Sequence, residues 1–238
     1  MIPWSQLDTA QVPDGGGQLR LMQRGAEFSI MAGSIELMKS RLSGSEKALA
    51  TMVCARLQDR PKPHVLIGGL GMGFTLRAAL AELGPDARVI VAELVPAVVA
   101  WARGPMAEIF AGCLTDPRVS IREEDVGGPI RAGRATFDAI LLDVDNGPEG
   151  LTREANDRLY DVAGLHAAKA ALRPGGVLAV WSSRPDRNFT QRLHKAGFGV
   201  EEARVRANGG RGGARHIIWI ATNPPIRPPG PAQPRPAR

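Results

Sequence analysis

The clearest pattern in the chain runs from His64 to Trp181, where short, almost wholly apolar segments alternate with longer ones whose apolar residues fall at helical spacing. The apolar segments read "HVLIG", "RVIVA", "RVSIR", "FDAILL" and "GVLAVW", and helices are predicted from Phe74, Val95, Leu151 and Asp186. Strands that are apolar on both faces and separated by helices fit a parallel sheet covered on both sides. Two further runs, "FGVEEARVRA" and "RHIIWIA", are separated only by a Gly/Arg-rich loop, so they are predicted to end the sheet as an antiparallel hairpin. The fold class is therefore α/β, a Rossmann-like sheet that is mostly parallel.

Upstream, residues 18–38 alternate in short runs broken at Gly25 and Gly33, which predicts a small antiparallel β meander. The stretch "SGSEKALATMVCARLQ" follows, with Ser43 and Glu46 at capping-box spacing ahead of a helix. The organisation expected is a β appendage with its linking helix over residues 1–60, the sheet domain over 61–222, and a Pro/Arg-rich tail over 223–238. That tail, "NPPIRPPGPAQPRPAR", has no acidic residue and too little apolar surface to offset its ordering entropy, and is expected to be disordered.

Composition narrows the function classes. The formal net charge is +6, but the arginines are dispersed rather than gathered in one block with aromatics, so nucleic acid is not the expected partner. No apolar run is long enough to cross a bilayer and no signal-peptide pattern opens the chain, so no membrane partner and a cytoplasmic location are expected. Cys54 and Cys113 lack metal or disulfide spacing and are expected to be small buried residues, and the four histidines form no metal motif.

The candidate chemistry lies where the strands end. Gly69, Gly71 and Gly73 form a GxGxG turn between an apolar strand and a helix, where backbone can approach a ligand without side-chain obstruction. Glu93 ends the next strand, at the distance where an acidic residue accepts from ribose hydroxyls. Asp125 follows the third strand in "REED", and Asp143, Asp145 and Asn146 follow the fourth in "LLDVDNGP". Ligands of open α/β sheets bind outside the carboxyl ends of the strands, which brings all four elements to one crevice.

The blocks "VLIGGLGMGFTLR", "VAELV", "DPRVSIREED", "FDAILLDVDNGP" and "ALRPGGVLAVW" resemble, in order and spacing, those of the spermidine synthases, aminopropyltransferases built on the class I methyltransferase fold. The resemblance implies that fold, an N-terminal β appendage, and a bound nucleoside sulfonium, S-adenosylmethionine or its decarboxylated form, with no metal. It implies Glu93 on the ribose, Asp125 on the adenine and Asp143 facing the reacting amine, with a small-molecule acceptor and a homodimer.

The departures concern the reaction. The resemblance places Met72 where the spermidine synthases carry the aspartate that grips the amine of the decarboxylated donor. It places Gly44, Ser45 and Glu46 on the Tyr-His-Glu segment that lines their polyamine channel, so those aromatic walls are expected to be missing. It aligns Glu36 with an upstream glutamine, adding a carboxylate near the crevice, and sets Asn146 on the second acidic position after the fourth strand, with Asp145 as a shifted replacement. A thioether makes no charge-assisted bond, so the expected chemistry is methyl transfer from S-adenosylmethionine to a small molecule. The alternatives are aminopropyl transfer from decarboxylated S-adenosylmethionine to an unusual amine, and a non-catalytic nucleoside-binding protein.

Overall fold

A computed structural model of the chain describes residues 2–144, 148, 158–208 and 213–225. Four antiparallel strands come first, β1 (Ser5–Gln11), β2 (Gln18–Arg24), β3 (Glu27–Ala32) and β4 (Ile35–Lys39), paired in chain order. Helix α1 (Gly44–Cys54) leads to the second sheet. There β5 (His64–Gly68), β6 (Arg88–Ala92), β7 (Val119–Arg122), β8 (Phe137–Leu142) and β9 (Leu172–Ser182) run parallel, while β10 (Gly199–Arg206) and β11 (Arg215–Thr222) form the final hairpin. The order is β10-β11-β9-β8-β5-β6-β7, with β11 antiparallel to β9. The helices between are α2 (Phe74–Glu82), α3 (Pro96–Arg103), the single turn α4 (Ala107–Phe110), α5 (Gly127–Ala132), α6 (Val162–Ala171) and α7 (Arg187–Lys195).

The alternation of side chains along each strand divides the core in two. Val65, Ile67, Val89, Val91, Ala139 and Leu141 face α1, α2 and α3, whereas Leu66, Ile90, Ile140 and Leu142 face α5, α6 and α7. Both sets are almost fully buried, which is why these strands are apolar at consecutive positions. Leu19, Leu21, Phe28 and Ile30 of the small sheet join the first cluster. Trp101 Nε1 on α3 also donates to Asp8 Oδ2 on β1 at 2.6 Å, tying the two sheets together. At the opposite end of the parallel sheet the buried Asp138 accepts from Arg60, Arg173 and the His64 backbone N–H at 2.9, 2.6 and 2.8 Å. A buried carboxylate so matched anchors the starts of β5 and β8.

Two local expectations need correction. Strand β1 lies upstream of the meander predicted over residues 18–38; its residues are nearly all exposed, so it pairs with β2 as an edge and leaves no hydrophobic alternation to read. The capping box is not formed: Ser43 precedes α1 without a side-chain cap, because Glu46 instead accepts from Ser45 Oγ at 2.8 Å. The helix expected from Leu151 is described from residue 158 onward, with α6 beginning at Val162, and residues 151–157 lie outside the described residues, as do 226–238 of the tail. Cys54 and Cys113 are buried and unpaired as expected, their thiols pushed up by burial to about 12 and about 11.

Candidate active site

The loops leaving β5, β6, β7 and β8 meet at one end of the sheet, under a roof made by the N-terminal strands. They enclose a cleft, partly open to solvent, lined by Gly69, Gly71, Glu93, Asp125 and Asp143 and roofed by Leu19, Ile30, Leu37 and Met38. A second cavity adjoins it, lined by Glu46, Met72, Phe74, Asp143 and Trp181, with Leu37, Met38, Gly71 and Asp143 shared between the two.

The glycines have different tasks. At Gly69 the backbone φ is +88°, and a Cβ there would sit 2.4 Å from the Asp143 carbonyl oxygen. The close approach of the β5 and β8 loops therefore requires glycine. Gly71, at φ +50°, faces Met38 within the cleft, where an added Cβ would meet Sδ at 3.0 Å. Gly73 lines neither cavity; at φ +72° it packs on the Phe110 ring, with only 2.5 Å available to a Cβ. It stands immediately before α2.

Glu93 is buried, and its carboxylate accepts from the backbone N–H groups of Leu70 and Val95 at 2.8 and 2.9 Å. These bonds hold the glycine loop against the start of α3. Glu93 also lines the cleft. Asp125 lies across the cleft from the roof, with Oδ1 accepting from Gly127 N at 2.6 Å.

Asp143 stands where the two cavities meet. Its Oδ2 accepts from the Thr75 hydroxyl at 2.6 Å, and that hydroxyl lies 3.5 Å from the Glu46 carbonyl. Burial, followed by the nearby Glu46 carboxylate, pushes Asp143 up to about 7, against the lowering effect of Thr75. Glu46 is itself raised by burial. Behind it, Ser45 Oγ donates to Glu46 and lies 2.9 Å from Nδ1 of His216, whose ring meets Trp181 edge-on at 4.8 Å between centroids.

Met72 is buried and lines the second cavity, in contact with the space beside Asp143. Glu36 does not reach either cavity. A bulge places Met38 opposite Ile30 and Glu36 opposite Met31, with Leu37 as the extra residue. Leu37 and Met38 then both line the cavities, while Glu36 is turned outward and pairs with Lys39 at 2.5 Å. Asp145 and Asn146 lie outside the described residues.

The sequence reading missed Thr75 as a functional group, and it missed Trp181 and His216 altogether. The expected loss of aromatic walls is thereby corrected: Trp181, from the carboxyl end of β9, supplies one from a different element. The position of Trp181 at the mouth of an apolar strand was the available signal. Among the described residues no group of three or more His, Cys, Asp and Glu side chains is arranged to hold a metal ion. No described helix is long and apolar enough to cross a membrane.

No family model matches the chain. It is 29% identical over 138 residues to a polyamine aminopropyltransferase of Mycobacterium tuberculosis, a match covering 57% of this chain and 25% of the relative. It is 32% identical over 127 residues to polyamine aminopropyltransferase 1 of Streptomyces coelicolor, covering 52% of this chain and 23% of the relative. The matched stretch thus spans about a quarter of the length of these curated relatives. Among solved structures, a spermidine synthase in complex with the transition-state analogue AdoDATO superposes with a TM-score of 0.70 at 18% identity, over 92% of this chain and 72% of that one. The spermidine synthase of Thermotoga maritima gives a TM-score of 0.69 at 18% identity with the same coverage. The chain has the class I methyltransferase-like fold of the spermidine synthases, and its sequence relatives are polyamine aminopropyltransferases.

Proposed function

We propose that the chain transfers an aminopropyl group from decarboxylated S-adenosylmethionine, held in the cleft, to a small amine seated in the second cavity. The observation that carries this reading is Asp143, the acidic side chain among the described residues that lines both cavities. The likeness to polyamine aminopropyltransferases supports aminopropyl over methyl transfer.

The cleft suits the donor. Leu19, Ile30 and Val126 offer apolar walls to an adenine, Glu93 offers acceptors to ribose hydroxyls, Asp125 an acceptor to an exocyclic amine, and Gly71 a surface without a side chain in the way. The donor supplies a carbon already activated by its sulfonium and a neutral thioether as leaving group. What remains for the protein is alignment of the nucleophile and removal of its proton. Burial raises Asp143 to about 7, and its ionised form is the base. In that form it holds the incoming ammonium, takes its proton and leaves the amine lone pair to form the new C–N bond. Thr75 keeps the carboxyl pointed at the junction of the cavities, and Leu37 and Met38 screen that junction from water.

Methyl transfer from S-adenosylmethionine is the second reading, favoured by one observation: Met72 lines the second cavity where a carboxylate would partner the amine of the decarboxylated donor. Calorimetry of the purified chain with S-adenosylmethionine, its decarboxylated form and methylthioadenosine tests the choice. Tighter binding of the decarboxylated donor is expected; preference for S-adenosylmethionine would reverse the two readings.

A further inference from the structure

We infer that Ser45 and His216 form, with Glu46, a proton path from the second cavity to the protein surface, by which the base is reset after each transfer. The inference rests on the proposed aminopropyl transfer and adds to it two residues, Ser45 and His216, that line neither cavity.

Glu46 lines the second cavity together with Asp143. Its Oε2 accepts from the hydroxyl of the fully buried Ser45 at 2.8 Å, and that hydroxyl oxygen lies 2.9 Å from Nδ1 of His216. His216 is partly exposed on β11, with its ring against that of Trp181. A cavity carboxylate, a buried hydroxyl and an imidazole partly open to solvent are thus joined by two hydrogen bonds of ordinary length. A hydroxyl both donates and accepts, and an imidazole takes up and releases a proton near neutral pH, so this order of groups can carry a proton.

The surroundings of His216 suit that task. It stands opposite Val205 of β10, while Arg204, Arg206 and Arg215 alternate to the other face of the hairpin. On α1 the charged neighbours of Ser45 are Glu46 and Lys47, and β9 presents Trp181. Burial holds His216 below the ordinary imidazole value, so the ring is neutral at pH 7 and able to accept.

One proton moves in each turnover. The incoming ammonium gives it to Asp143, the amine lone pair forms the C–N bond, and the C–S bond breaks to release the thioether. Asp143 passes the proton across the shared cavity to Glu46. Protonated Glu46 then donates to Ser45 as the Ser45 hydroxyl proton moves to Nδ1, and the imidazolium gives its Nε2 proton to solvent. Exchange of the ring hydrogens with solvent returns the starting tautomer.

The test follows methylthioadenosine release from decarboxylated S-adenosylmethionine with 1,4-diaminobutane, using the full chain and thermal melts to verify folding. His216→Gln keeps a hydrogen-bonding partner for Ser45 but carries no proton, so kcat should fall about tenfold with KM for the amine unchanged. His216→Ala should fall as far and regain most of the loss in imidazole buffer. Ser45→Ala, which breaks the path inside the protein, should fall too and gain nothing from imidazole; if it does not fold, the two His216 variants decide. Undiminished kcat in His216→Gln, or no rescue of His216→Ala, overturns the path while leaving aminopropyl transfer intact. A wild type that releases no methylthioadenosine with 1,4-diaminobutane, spermidine or butylamine overturns the transfer and the path together.

Discussion

The Thr75 hydroxyl donates to Asp143 Oδ2 at 2.6 Å, joining the first turn of α2 to the carboxyl end of β8. That bond sets the direction of the one acidic side chain shared by both cavities and opposes the burial that raises it. Four consequences can be measured.

Asp143→Asn removes the base and should slow transfer by about 10²–10⁴-fold while donor affinity changes little. The substitution also has a stability signature. A carboxyl lifted to about 7 in the folded chain keeps its proton there while the unfolded chain has already lost it. Stability of the wild type should therefore be fully present below about pH 4 and fall as pH rises to about 7. The variant lacks this loss, so its stability relative to wild type should rise over that window by about 2–4 kcal/mol. Denaturant melts at pH 4, 6 and 8 measure it; a constant difference would mean that Asp143 titrates normally.

Thr75→Val deletes the bond that favours the ionised carboxyl, so the apparent midpoint of the pH–rate profile should move upward from its wild-type value near 7. Activity lost at neutral pH should return as pH is raised. A profile that keeps its midpoint would place the rate-controlling ionisation elsewhere, and Thr75→Ser, which retains the hydroxyl, should restore the wild-type curve.

Glu93→Gln distinguishes ribose binding from loop support. The amide keeps one acceptor and turns a donor toward either Leu70 N or Val95 N, leaving one of these buried groups opposed. The cost should be about 1–3 kcal/mol of stability. If Glu93 also holds ribose, affinity for every adenosyl ligand should drop about tenfold or more in the folded variant. Loss of stability with unchanged ligand affinity would confine Glu93 to the loop.

Gly73→Ala should act on the fold alone. It forces a side chain into a left-handed backbone and onto the Phe110 ring, which should cost about 2–3 kcal/mol. Thermal melts read the loss, and calorimetry of the folded fraction should find donor affinity unchanged. A selective loss of donor binding would return Gly73 to the ligand site.

Most of the fold was legible in the sequence because the parallel strands are apolar on both faces and some of the helices between them begin on clear local signals. The side chain of Asp186, for instance, caps α7 by accepting from Asn188 N and Phe189 N. Gly69 and Glu93 were legible for a related reason: each sits at the end of a recognisable strand, and strand ends are where an open α/β sheet gathers its ligands. Strand β1 was not, since an exposed edge carries no hydrophobic period.

What only the tertiary structure decided is which side chains share a space. One extra residue at Leu37 turned Glu36 out of the crevice and Met38 into it, a change of facing that the identity of Glu36 does not encode. Glu46 sits at capping-box spacing, yet the cavity and Ser45 determine its partner. His216 meets both Ser45 and Trp181 across sequence separations that no local pattern spans. The sequence by itself determined the sheet, most of its helices and the strand ends where Gly69, Glu93, Asp125 and Asp143 gather, because those follow from short-range periodicity and turn chemistry. The packing of distant elements determined which residues line each cavity, Asp143 with both and Glu46, Met72 and Trp181 with the second, because cavity chemistry depends on which residues converge, not on their order in the chain.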